Sequence, residues 1–281
     1  MSGVAIKVPN VNWSRNNLGT VDYGSDKNDQ PLDTVSDKAY AIYDNYITKS
    51  QRRDNQCLLL LIDDLVKAGL DQKCKGLFYF ASKHQNMENI KYSVIGNNYL
   101  NCQSGEPNIL NDGIESESSA IYNLYDNNFY YPNGADSNLC LVFMMSKGST
   151  SGFEWGAEQN SGQPHVLSTA GNEQHLNGII FQWCFKENAI KKEEDNQSTD
   201  GVYVIHINRN SLVYKHKART ISKRFNRQST DTFRPRLMAY QTLNNHSTGA
   251  MKMYAAFSRG DLTADDVNKI HEIFTKYERL L

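Results

Sequence analysis

Apolar positions along the chain follow two different periods, with the change near Gly76. Leu32, Val35, Ala39, Ile42, Tyr43 and Tyr46 recur at helical spacing, and Asp33 or Ser36 stands where an N-cap belongs. Cys57, Leu58, Leu61, Ile62 and Leu65 form a second stripe, which Asp54 can cap and Gly69 can stop. The short basic linker Thr48 to Arg53 makes the pair a helical hairpin.

From Gly76 onward the pattern is that of strands. LFYFASKH, KYSVIG, SSAIYNLY, LCLVFMMSK, NGIIFQWCFK, DGVYVIHINR, SLVYKHKARTI and RLMAYQTL follow one another between turn-rich patches. Strands so spaced, with no helices between them, predict an antiparallel sandwich or barrel. VYVIHINRNSLVYKHKA is the clearest hairpin, and His206 and His216 are expected to face each other across it. The Asn/Ser/Gly-rich stretch from Gly152 to Asn177 reads as a surface loop.

The chain closes on a strand, a turn at Arg259-Gly260-Asp261, and a helix. Met251, Met253 and Ala255 are expected on one strand face, with Lys252, Tyr254 and Ala256 on the other. Thr263 and Asp266 fit a capping box, and Val267, Ile270, Phe274, Tyr277 and Leu281 make one apolar stripe.

Composition narrows the function classes. The formal net charge of −1 argues against a chain built to coat nucleic acid. Cys57, Cys74, Cys102, Cys140 and Cys184 are scattered and odd in number, so reduced thiols are expected rather than a disulfide framework. The apolar run Leu58 to Ile62 is far too short to span a bilayer, and MSGVAIKVPNVNW shows no signal peptide, so synthesis in a reducing cytoplasm is expected. One charge feature stands out. Nine Arg and Lys residues lie between Arg209 and Arg236 against Asp231 alone, with Lys215, Lys217 and Arg219 expected on one exposed face. Contact with an anionic glycan, an acidic neighbour or nucleic acid competes there with simple protection of a sheet edge.

Several elements together are similar to a known group. The strand pair from Gly201 to Lys217, the strand Tyr254-Ala255-Ala256-Phe257 and the ending LTADDVNKIHEIFTKYERLL resemble the concanavalin A-like (laminin G-like) jelly-roll domains of phage structural proteins. Ala39 to His84 resembles the helical lead-in of such domains. Val4 to Val21 looks like an anchoring segment of virion proteins of Bacteroides phages, including crAss-like ones. The fold class implied is mostly β, a concanavalin A-like antiparallel sandwich with a helical hairpin before it and a C-terminal helix after it.

The resemblance implies three parts: an anchoring segment and linker over 1–31, an oligomerising hairpin over 32–72, and the sandwich over 73–281. It implies a non-enzymatic virion component, a head-fibre, capsid-decorating or tail-associated protein. Ile6, Val8, Val11, Trp13 and Leu18 would attach it to other virion proteins through residues 1–20, as a homo-oligomer (dimer or trimer). The alternative is a carbohydrate-binding module for host surface glycan, with Trp155 or Tyr131 stacking on a sugar.

No catalytic, cofactor or metal residues are assigned. Glu154 and Glu158 flank Trp155 at even spacing but lack the E-x-D-x-(x)-E pattern of sandwich-fold glycosidases. Asp126 and Asn133 to Asp136 are better read as turn residues than as calcium ligands.

Overall fold

The computed structural model describes residues 35–52, 55–81, 87–102, 108–115, 124–125, 138–149, 155–158, 165–168, 180–183, 185–190, 199–208, 210–224, 234–237, 247–258 and 262–281. The helices are α1 (Asp37–Ser50), α2 (Gln56–Lys67), the short α3 (Met87–Ile90) and α4 (Ala264–Tyr277). The early strands are β1 (Cys74–Tyr79), β2 (Asn101–Cys102), β3 (Asn108–Leu110), β4 (Gly113–Glu115), β5 (Leu124–Tyr125), β6 (Leu139–Lys147), β7 (Trp155–Glu158) and β8 (His165–Ser168). The later ones are β9 (Ile180–Trp183), β10 (Phe185–Ile190), β11 (Gly201–Ile207), β12 (Ser211–His216), β13 (Arg219–Arg224), β14 (Arg234–Leu237) and β15 (Ala250–Phe257).

All pairings are antiparallel, in two sheets. One runs β13-β12-β11-β6-β15-β4-β3, with β1 also on β15; the other runs β10-β9-β8-β7-β14-β5-β2. They face each other across a core in which Phe143 and Tyr203 from the first sheet meet Trp155 and Leu237 from the second. The Phe143 and Trp155 rings sit 5.9 Å apart, edge to face. The expected jelly-roll sandwich with a terminal helix is therefore the fold observed.

The middle of the first sheet, β11, β6 and β15, is buried on both faces, which explains its unbroken apolar runs. Along β6, Leu139, Leu141, Phe143 and Met145 point toward the second sheet, while Cys140, Val142 and Met144 point toward a second core beneath α1, α2 and α4. The hairpin stripes end in that second core through Ala39, Tyr43, Leu58, Leu61 and Leu65. The hairpin is thus the outer layer of the sandwich, and its apolar stripes cover this chain's own sheet.

Helix ends follow local chemistry. Ser36 caps α1, its hydroxyl accepting from the Ala39 amide at 3.3 Å. Asn55, not Asp54, caps α2 by accepting from the Leu58 amide at 3.0 Å. Gly69, at φ 70°, ends α2 as the sequence predicts. The Leu70 amide donates to the Leu65 carbonyl and that of Gly69 to Val66, the paired bonds of a left-handed stop. At α4 the capping box is complete: the Asp266 amide donates to Thr263 Oγ1 at 3.1 Å, and the Thr263 amide to Asp266 Oδ2 at 2.7 Å.

Four strand expectations need correction here. KYSVIG is not a strand of either sheet; it follows α3 and makes only isolated bridges, Tyr92 to Tyr99 and Ile95 to Leu77. Trp155–Glu158 and His165–Ser168, read as surface loop, are paired strands of the second sheet. Met251 and Met253 lie on opposite faces because the register against β6 shifts between them, leaving Lys252 as an extra residue. Lys252 uses that bulge to donate Nζ to the Glu278 carbonyl at 2.9 Å, at the end of α4. Finally, His206 is opposite Val213 and His216 opposite Tyr203, so the two histidines do not meet.

Among the described residues Cys57, Cys74 and Cys140 form no disulfide. Among the described residues no helix is long and apolar enough to cross a membrane.

Candidate functional site

The helical layer does not cover the whole first sheet. Helix α4 lies over β11, whose residues are buried on both faces. On β12, Leu212, Tyr214 and His216 are buried while Ser211, Val213 and Lys215 are half-open. On β13 the burial is lower still, with Arg219, Thr220, Ser222 and Arg224 exposed. Two strands thus project beyond α4 as a ledge.

Register assigns its upper face. Ser211 pairs with Arg224, Val213 with Ser222 and Lys215 with Thr220, and all six lie on the helix side, opposite Leu212 and Tyr214 in the inter-sheet core. His271 of α4 stands beside them. Among the described residues its Nε2, which is buried, has no hydrogen-bond partner. Burial lowers the His271 pKa, and Lys215 and His216 lower it further, while Glu272 opposes them.

Charges on the ledge differ from those elsewhere. Lys38 pairs with Asp71, Lys67 with Asp63, Lys73 with Asp266, Lys147 with Glu115 and Lys276 with Asp64. Lys217, in the β12–β13 turn at φ 51°, pairs with Asp200 at 2.9 Å. It therefore leaves the row with Lys215 and Arg219 that alternation predicts; Arg219 pairs across from His216 and so lies on the other face from Lys215. Among the described residues no carboxylate pairs with Lys215, Arg219 or Arg224.

The residue expected to stack on glycan does not lie there. Trp155 is fully buried, with 0% exposure, in the inter-sheet core. Its ring packs on Phe143 and offers no face to a sugar, because β7 carries it inward. Tyr131, the Glu154 carboxylate, the Glu158 side chain, Asp126, Asn133 to Asp136, and the anchoring positions Ile6, Val8, Val11, Trp13 and Leu18 lie outside the described residues. Among the described residues no three His, Cys, Asp or Glu side chains cluster as a metal would require.

His206 has a structural role. Asn138 donates Nδ2 to the Leu262 carbonyl at 2.9 Å, which turns its Oδ1 toward His206 Nε2. The ring thereby ties β11 to the start of β6 and the approach to α4. Burial pushes its pKa down to about 4.

Arg52 was legible only as part of a basic linker. It is buried, donates Nη1 to Tyr46 Oη at 2.7 Å and to the Tyr79 carbonyl, and donates Nη2 to the Ala81 carbonyl at 2.9 Å. Its guanidinium lies 4.5 Å from the Tyr79 ring centroid. It bolts the hairpin corner to the end of β1. Burial pushes the Tyr79 hydroxyl up to about 12 despite that cation.

No family model and no curated protein matches this chain. Among solved structures it is similar to domain 4 of AbnA, a GH43 extracellular arabinanase from Geobacillus stearothermophilus in complex with arabinotriose. That match has 8% identity, 70% of this chain, 98% of that one and a TM-score of 0.43. An arabinofuranosidase complexed with arabinofuranosyl-alpha-1,2-xylobiose matches at 12% identity over 66% of this chain and 50% of that one, TM-score 0.43. The exoplasmic/lumenal domain of VIP36 in its Ca2+/Man2-bound form matches at 9% identity over 70% and 94%, TM-score 0.37. At these values the likeness adds nothing to what strand order and core contacts establish.

Proposed function

We propose that the protein is a non-enzymatic structural component of a bacteriophage particle, held through its N-terminal segment and presenting the sandwich outward. The observation that carries this is the self-sufficiency of the described body. The apolar faces of α1, α2 and α4 are spent on its own sheet. Among the described residues only Tyr99 and Leu280 are large hydrophobics left exposed. Apolar attachment therefore falls to Ile6, Val8, Val11, Trp13 and Leu18, in the segment that resembles a virion anchor. Particles decorated with gold-labelled antibody against the sandwich should carry label in electron micrographs. Unlabelled particles from a culture expressing the protein would overturn the proposal.

A second reading, a carbohydrate-binding module, is favoured by the open, cation-bearing ledge of β12 and β13 and not by Trp155. The two roles are compatible. Titration with soluble glycans tests the second, and it fails if no glycan class binds.

A further inference from the structure

We propose that the ledge formed by β12 and β13 beside α4 binds an acidic polysaccharide, a chain whose carboxylates or sulfates are separated by hydroxyl-bearing sugar. This rests on the carbohydrate-binding reading and gives it a ligand class and a place.

Edge protection accounts for cations on a terminal strand, so it explains Arg219 and Arg224 on β13. It does not explain Lys215, which lies one strand inward. Several described lysines are paired with a carboxylate, whereas among the described residues none pairs with Lys215 or Arg224, which share one face. Positive charge without a partner in the fold is poised for one outside it.

Register sets the spacing. Lys215 is opposite Thr220, four residues from Arg224, so the two cations stand about 13 Å apart along the strand direction. Ser211, Thr220 and Ser222 lie between and beside them, offering hydroxyls that donate and accept. That sequence of cation, hydroxyls and cation suits an anionic sugar chain. The six residues of this face include no aromatic, so nothing there can stack the bases of a single-stranded nucleic acid.

The test uses the full chain and calorimetric titration with an alginate uronate oligosaccharide, maltohexaose, poly-glutamate and oligo-dT. The uronate should bind with an affinity that falls as salt rises. Lys215→Ala with Arg224→Ala, two surface changes, should weaken it about tenfold. In the unaltered chain the His271 pKa, followed by NMR, should rise on uronate binding, with Lys215, His216 and Glu272 as the charged neighbours. The double variant should lose most of that rise. Binding of maltohexaose alone would overturn the ledge assignment and leave the carbohydrate reading standing. Binding of no saccharide would remove both. Equal or tighter binding of poly-glutamate or oligo-dT would overturn the saccharide class, and an unchanged double variant would overturn the location.

Discussion

Replacing Arg52 by Met removes a buried fork while keeping most of its apolar stem. Two main-chain carbonyls, Tyr79 and Ala81, and the Tyr46 hydroxyl then lose their donor. Each buried group left unsatisfied costs about 1–3 kcal/mol, and the lost cation–π contact roughly 1 kcal/mol more. Relief from burying a guanidinium at 6% exposure offsets part of this. A net loss of about 3–5 kcal/mol is expected, with Arg52→Lys losing about half as much because an ammonium cannot span both carbonyls. The assay is urea unfolding followed by far-UV circular dichroism and by tryptophan fluorescence. Arg52 belongs to the hairpin corner whereas Trp155 lies between the two sheets, yet both probes should shift by the same amount, because the two cores share the first sheet. A loss under about 1 kcal/mol would refute the hydrogen-bond reasoning. A circular dichroism transition that splits away while fluorescence stays put would refute the coupling through the first sheet.

Two further outcomes follow from the same packing. Trp155→Ala should lower stability by about 3–5 kcal/mol, as loss of a fully buried indole does; a variant of unaltered stability that lost only sugar binding would restore the stacking role. His206 has a folded pKa of about 4 against an ordinary 6.5, so between those values the unfolded chain holds a proton that the folded chain does not. Stability should therefore fall as pH drops through that window, by up to about 3 kcal/mol at its lower end, and be insensitive to this group above about pH 7. His206→Gln should remove that component, read as the difference between urea midpoints across pH; parallel curves would contradict it.

Local chemistry was the most legible part of the sequence. Thr263 and Asp266 fixed the start of α4, Gly69 fixed the end of α2, and the β11–β12 hairpin formed where it was expected, though without the expected histidine pairing. What could not be read depends on distant partners. The bulge at Lys252 arises from pairing with β6 and from the Glu278 carbonyl, neither of which strand alternation encodes. Trp155 sits among glycines and polar residues, so its inward direction was set by β14 on one side and β8 on the other. The hairpin stripes were visible, but a stripe does not say whether it meets a sheet of its own chain or another copy. The ledge was foreshadowed by the basic run after Arg209; only register separated Lys215 and Arg224 from the rest.

The most direct test of the account is incorporation of the chain lacking residues 1–20 into particles, measured against the full chain in the same cells. The described body has its apolar faces occupied, so attachment is assigned to that segment. The shortened protein should retain the circular dichroism spectrum and unfolding midpoint of the sandwich and be missing from purified particles. Incorporation at the full-length level would contradict the assignment and return attachment to the folded body.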